Sequence, residues 1–208
     1  DYRNADGSIA EMCGNGIRVM ARYLVERGHQ PEGIFAIDTR DGVKHLRVPL
    51  TDDISVNMGQ VSDEGESITA ATNGKIWNGY NISVGNPHAV VFVDDINDVG
   101  QLLEPPVVRP KGSYPEGVNV EFVQITSDNE ILMRVYERGS GETQSCGTGT
   151  CAVALAATIH SNKKLPATWI INPPGGRLEV SIDGHSNATL IGPAVLVKDV
   201  DISRFLIE

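Results

Sequence analysis

With 208 residues, 40% of them hydrophobic and 21% charged, the chain has the composition of an ordinary globular protein and no sign of compositional disorder. A formal net charge of −10 excludes nucleic acid as a partner, because no basic stripe exists to displace phosphate counterions, and it argues equally against an anionic membrane surface. No apolar stretch approaches a membrane span, and three widely spread cysteines make no disulfide framework, so a reducing compartment, the cytoplasm, is expected.

The first predicted element is a helix from Gly14 to Gly28, in which Ile17, Met20, Ala21 and Leu24 recur at helical spacing while Arg18, Arg22 and Glu26 lie four apart on another face. Gly28 is its expected stop. The segments "GIFAIDTR", "KHLRVPL" and "ISVNMGQV" read as strands, punctuated by Gly, Asp and Pro. "ESITAATNGKIWNGYNISVGNPHAVVFV" reads as strand, turn and further strands. A short helix at "INDVGQLLEP" and a Pro-rich connector without chemistry, "EPPVVRPKGSYPEG", come next. "VNVEFVQIT" and "EILMRVYERG" flank the turn "SDN" as strong strands. Gly147 to His160 is helical and apolar on nearly every face, which predicts a helix enclosed by other structure. "ATWIINPPGGRLEVSID" and "NATLIGPAVLVKDV" close the chain as strands.

Two stretches share one grammar. "YRNADGSIAEMCGNG" and "YERGSGETQSCGTG" each run from an aromatic residue through a polar turn to a cysteine, a Gly-X-Gly and a helix. Their separation is longer than a solenoid repeat and implies two similar halves. The second motif lies deep inside its half whereas only twelve residues precede Cys13, so matched halves predict about fifty or more residues upstream of Asp1. A cysteine at a helix N-terminus meets unpaired N–H groups and the positive end of the macrodipole, which is expected to lower its thiol pKa. Bare glycine backbone beside it suits a carboxylate. Two such sites facing one ligand would place an acid and a base on opposite sides of a carbon, as inversion of a stereocentre requires. Backbone donors on the carboxylate would steady the developing carbanion.

The pair "NADGSIAEMCGNG" and "ERGSGETQSCGTGT", with "VGNPH" and "EGVNVEF" between them, strongly resembles the diaminopimelate epimerase family over essentially the whole chain. The resemblance implies an α+β fold of two pseudo-symmetric domains, each a mixed sheet or barrel curled around a central helix, with the active site in the cleft between them. The halves would be residues 1–76, completed by a last strand at 197–208, and residues 77–196. It implies cofactor-independent interconversion of LL- and meso-diaminopimelate in lysine and peptidoglycan precursor synthesis, by a homodimer and without a metal. Cys13 and Cys146 would be the acid and base, with His88 and Glu137 helping to set their protonation. Gly14, Asn15, Gly147 and Thr148 would hold the carboxylate at the reacting centre. Asn4, Asn86, Asn119 and Arg138 would grip the far amino-acid end, and Glu137 would meet an ammonium group.

Plainer readings stand beside these. Cys151, inside the apolar helix, is expected to be a core residue. Glu137 and Arg138 could form a surface ion pair, although an arginine is the expected clamp for a second carboxylate. Asn86 and Asn119 are ordinary turn and strand-edge residues by default. The alternatives are another two-thiol racemase, acting on proline or hydroxyproline, and a truncated chain that binds without catalysis. Oxidation of Cys13 and Cys146 to a disulfide is expected if they face each other closely.

Overall fold

The computed structural model describes residues 12–199. It opens with helix α1 (Gly14–Glu26), followed by strands β1 (Gly33–Thr39), β2 (Gly42–Val48), β3 (Ile54–Gln60), β4 (Ser62–Thr72), β5 (Lys75–Ser83) and β6 (Pro87–Phe92). A single 3-10 turn at Ile96–Val99 leads to β7 (Val107–Arg109), β8 (Asn119–Ser127), β9 (Glu130–Glu137) and β10 (Gly141–Thr143). Helix α2 (Gly147–His160) and strands β11 (Ala167–Asn172), β12 (Leu178–Ile182) and β13 (Asn187–Gly192) complete it. All strands join one hydrogen-bonded path in the order β1-β2-β3-β13-β12-β11-β9-β8-β6-β5-β4-β7, with β10 added beside β9. Its pairs are antiparallel except β6 with β8 and β9 with β11, which are parallel.

Four short expectations change. The "INDVGQLLEP" helix shrinks to the 3-10 turn, whose Asp95 side chain accepts from Asn97 N. The Pro-rich connector contributes β7, which pairs with β4, and the turn ahead of Cys146 contributes β10, which pairs with β9. The last predicted strand stops at Gly192, with no regular structure from 193 to 199. The proposed completing strand at 197–208 lies mostly outside the described residues. The expected boundary between halves, 76/77, falls inside β5.

Strands β3, β9, β12 and β13 bury alternate residues, as sheets covered mainly on one face do. Strands β6 and β8 are buried on both faces. Ala89, Val91, Val120 and Phe122 enter a small outer core, whereas Val90 and Val123 enter the main core with α2. The period of two therefore turns His88 and Glu121 toward α2 as well.

Helix α2 is enclosed as its composition predicts, buried continuously from Gly149 to Thr158, with alanines at 152, 154, 156 and 157 letting strands approach closely. Helix α1 buries Ile17 and Ala21 as its periodicity predicts but departs from it elsewhere. Met20 is 52% exposed, while Arg18 and Arg22 are buried. The arginines go inside because backbone acceptors await them. Arg22 donates to the carbonyls of Pro49, Leu50, Asp52 and Ala194, tying α1 to the ends of two distant segments. No described helix is long and apolar enough to cross a membrane.

Candidate active site

Both motif cysteines are N-caps with extended backbone, φ −134° and ψ 115° at Cys13, φ −122° and ψ 119° at Cys146. Each sulfur takes the part usually played by a serine or aspartate oxygen. Cys13 Sγ accepts from Gly16 N at 3.3 Å, and Cys146 Sγ accepts from Gly149 N at 3.4 Å. That satisfies one orphan donor per helix and leaves the N–H groups of Gly14, Asn15, Gly147 and Thr148 without an intrahelical acceptor.

The two helix starts meet head to head. A Cβ on Gly147 would lie 3.0 Å from Gly14 Cα, and one on Gly14 would lie 3.3 Å from Gly147 Cα. Glycine is required there because backbone touches backbone. Asn15 crosses the junction, its Nδ2 donating to Ser145 O at 3.3 Å, while Arg18 Nη2 holds Asn15 Oδ1 at 3.1 Å. Two positive helix ends aimed at one region favour a negative group between them.

Strands β6, β8 and β9 supply the groups behind Cys146. His88 lies opposite Asn119 across the parallel pair. His88 Nδ1 is 2.7 Å from Glu121 Oε1, both side chains being fully buried, and His88 Nε2 is 3.1 Å from Asn86 Oδ1. Asn86 Nδ2 donates to Thr148 Oγ1 at 3.4 Å, and Thr148 Oγ1 is 3.5 Å from Cys146 Sγ. Glu121 lies directly under the first turn of α2, so close that a Cβ on Gly149 would be 2.5 Å from its Oε1. Glu137 accepts from the Thr143 hydroxyl of β10. Asn119 donates to Pro87 O at 3.3 Å and accepts from Arg138 N at 3.0 Å. The exposed Arg138 side chain crosses Gly117 and donates to Glu116 O at 3.2 Å rather than pairing with Glu137.

The thiol expectation needs correcting at Cys146. Burial pushes this thiol well above the usual value, and the nearby Glu137 pushes it the same way. Thr148 and Gly149 N–H act in the opposite direction without prevailing. Desolvation outweighs the helix end. Cys151 is wholly buried in the core, its thiol raised by burial to about 12, and all three cysteines are free.

Contacts thus connect Cys13, Gly14 and Asn15 with Cys146, Gly147, Thr148, Asn86 and His88, and Asn119 with Arg138. Asn4 lies outside the described residues. Glu121 is the residue that sequence reading passed over, although a glutamate inside the apolar strand "VNVEFVQIT" was its signal. Among the described residues no group of three or more His, Cys, Asp and Glu side chains is placed to hold a metal. A separate depression of about 430 Å³, lined by Glu66, Tyr80 and His160 among others, lies at the opposite end of α2.

The family model for diaminopimelate epimerase matches residues 1–63 and 80–197. The chain belongs to the diaminopimelate epimerase family. The family member from Streptomyces coelicolor is 44% identical over 100% of this chain and 74% of its own length. The diaminopimelate epimerase of Acidothermus cellulolyticus is 45% identical over 96% of this chain and 65% of its own. The chain therefore spans about two thirds to three quarters of these two relatives. Among solved structures, a phenazine biosynthesis protein of Bacillus anthracis superposes with a TM-score of 0.70 at 16% identity, over 92% of this chain and 76% of that one. A hydroxyproline epimerase of Agrobacterium vitis superposes at 0.66 and 18% identity, over 91% and 65%. At that identity the likeness is one of fold, and it agrees with the expected α+β architecture of a mixed sheet around few helices. Diaminopimelate epimerases are isomerases.

Proposed function

We propose that the protein interconverts LL- and meso-diaminopimelate by a two-thiol acid/base reaction. The observation that carries this is the head-to-head meeting of two cysteine-capped helices at Gly14 and Gly147. In this reading the α-carboxylate sits on the N–H groups of Gly14, Asn15, Gly147 and Thr148, which also receive charge as the carbanion forms. Burial keeps Cys146 protonated, so Cys146 is the acid and the base role falls to Cys13. Cys13 takes the α-proton as a thiolate and becomes a thiol, while Cys146 delivers a proton to the opposite face and becomes a thiolate. The reverse reaction starts from the swapped state. His88 and Glu137 adjust the proton on Cys146.

Asn4, Asn86, Asn119 and Arg138 are assigned to the distal amino-acid end, with Glu137 on its ammonium group. The hydrogen bond from Arg138 N to Asn119 supports grouping those two. A charged distal end distinguishes diaminopimelate from proline or hydroxyproline. The family resemblance further suggests a cytoplasmic homodimer, and three free cysteines fit a reducing compartment.

The test is incorporation of solvent deuterium at the α-carbon of LL-diaminopimelate by the full-length protein. Label in both stereoisomers, with epimerisation lost in Cys13→Ala and in Cys146→Ala, is the expected result. Label that persists in either alanine variant with inversion intact would overturn the two-thiol mechanism, and no label from the unaltered protein would overturn the epimerase reading.

A further inference from the structure

Among the described residues Glu121 is the only buried carboxyl group. Its Oε2 has no hydrogen-bond partner. An ionised carboxylate with one bare, buried oxygen is far more costly than a neutral acid that donates from one oxygen and keeps a carbonyl-like second.

The neighbouring bonds are all satisfied by one placement of the hydrogens. Asn86 presents its carbonyl oxygen to His88 Nε2 and its amide to Thr148. An amide oxygen only accepts, so Nε2 carries a hydrogen. Where the ring is neutral, Nδ1 is an acceptor, and the 2.7 Å contact with Glu121 Oε1 is then an O–H donated by the acid. Thr148 Oγ1, having accepted from Asn86, has its own hydrogen available for Cys146 Sγ.

We propose that Glu121, as a carboxylic acid, is a positioning residue for Cys146. It heads a row of donors that all point the same way, from Glu121 to His88, Asn86, Thr148 and finally Cys146 Sγ. The sulfur then accepts from both Thr148 and Gly149 N, so its own S–H is turned out of the row. When that proton leaves, the thiolate finds two donors already in place. This role rests on the epimerase reading for its chemical meaning, but the hydrogen placement does not.

Two substitutions separate donor, charge and bulk. Glu121→Gln keeps a donor to Nδ1, whereas Glu121→Met keeps the length without one. The expected result is a kcat within about threefold of the unaltered protein for E121Q and about 10²-fold lower for E121M, with KM unchanged in both, as loss of alignment without loss of substrate contacts requires. ¹⁵N NMR of histidine-labelled protein at neutral pH, with His88 assigned through His88→Gln, supplies the second readout. A neutral Nε2–H ring is expected in all three proteins, since Asn86 Oδ1 holds that hydrogen, with the Nδ1 resonance of a hydrogen-bonded acceptor in the unaltered protein and E121Q and of an unbonded nitrogen in E121M. An imidazolium or an Nδ1–H ring in the unaltered protein would overturn the proposal. So would E121Q as slow as E121M, or E121M as fast as the unaltered protein. If E121M does not fold, the unaltered protein and E121Q still decide the matter. If the full-length protein turns over no diaminopimelate, the epimerase reading fails while the NMR readout still judges the Glu121–His88 bond.

Discussion

Helices α1 and α2 begin with the same sequence of moves: an extended cysteine, a glycine, a polar residue, and a second glycine whose N–H returns to the sulfur. Beyond that turn they diverge. Helix α1 keeps Val19, Met20 and Tyr23 on an open side and fastens its inner side with two arginines. Helix α2 is buried almost throughout, its inner polar atoms limited to threonine hydroxyls such as Thr150, on Cys146 O at 2.6 Å, and Thr158, which takes Trp169 Nε1 at 2.8 Å. The local motif therefore sets the cap, and the surroundings set the proton. Cys13 is half-buried, whereas Cys146 is closed in beside Glu121 and Glu137 and held as a thiol.

The hardest test of that division removes each sulfur in turn. Cys13→Ala and Cys146→Ala should each lower epimerisation by about 10³-fold or more, the scale of a positioned acid or base, measured by chiral analysis of product. If only one mattered, the symmetry of roles would fail.

The junction gives a smaller and asymmetric effect. A methyl at Gly147 meets Gly14 backbone, which cannot yield, whereas a methyl at Gly14 first meets the end of the Leu190 side chain at 2.9 Å. Gly147→Ala should therefore cost about 10²-fold in kcat/KM through misalignment, and Gly14→Ala clearly less. Equal losses would show that the two starts are not packed as described.

Helix anchoring is next. Arg22→Met leaves carbonyls at Pro49, Leu50, Asp52 and Ala194 without their donor and should destabilise the protein by about 2–3 kcal/mol in denaturant unfolding.

The smallest effect sharpens the thiol difference. Iodoacetamide at pH 8, followed by peptide mass mapping, should modify Cys13 well before Cys146, since Cys146 is both shielded and held protonated. The stability sign follows from the same shift. A thiol raised in the folded state ionises first in the unfolded chain, so its contribution is intact below the usual thiol value of 9.0 and is lost as pH rises above it. The fall in Tm above pH 9 should be shallower in Cys146→Ala, while a steeper fall would reverse the assignment.

Much of this comparison was legible in the residues. The Gly-X-Gly turns marked both helix starts, and an apolar run on every face marked α2 as enclosed. Other features had no local signal. Strands β7 and β10 exist because β4 and β9 offer them an edge. The burial of Arg18 and Arg22 depends on carbonyls far away in sequence, which periodicity does not show. The direction of the Cys146 shift depends on burial and on Glu137 from β9, which a motif does not encode. Glu121 was visible as a misfit in its strand, but its partner became evident only with the parallel register of β6 and β8.

The seam between β3 and β13 has a consequence for how the chain is made. Residues 54–60 pair with residues 187–192, so that ladder closes only after nearly the whole described chain has emerged. Contacts this distant in sequence are slow to form because the intervening loop must be closed first. The hairpins β4–β5, β8–β9 and β11–β12 are local and can assemble early. The N-terminal strands must wait for β13 to bind them, and until then β3 presents an open edge during synthesis.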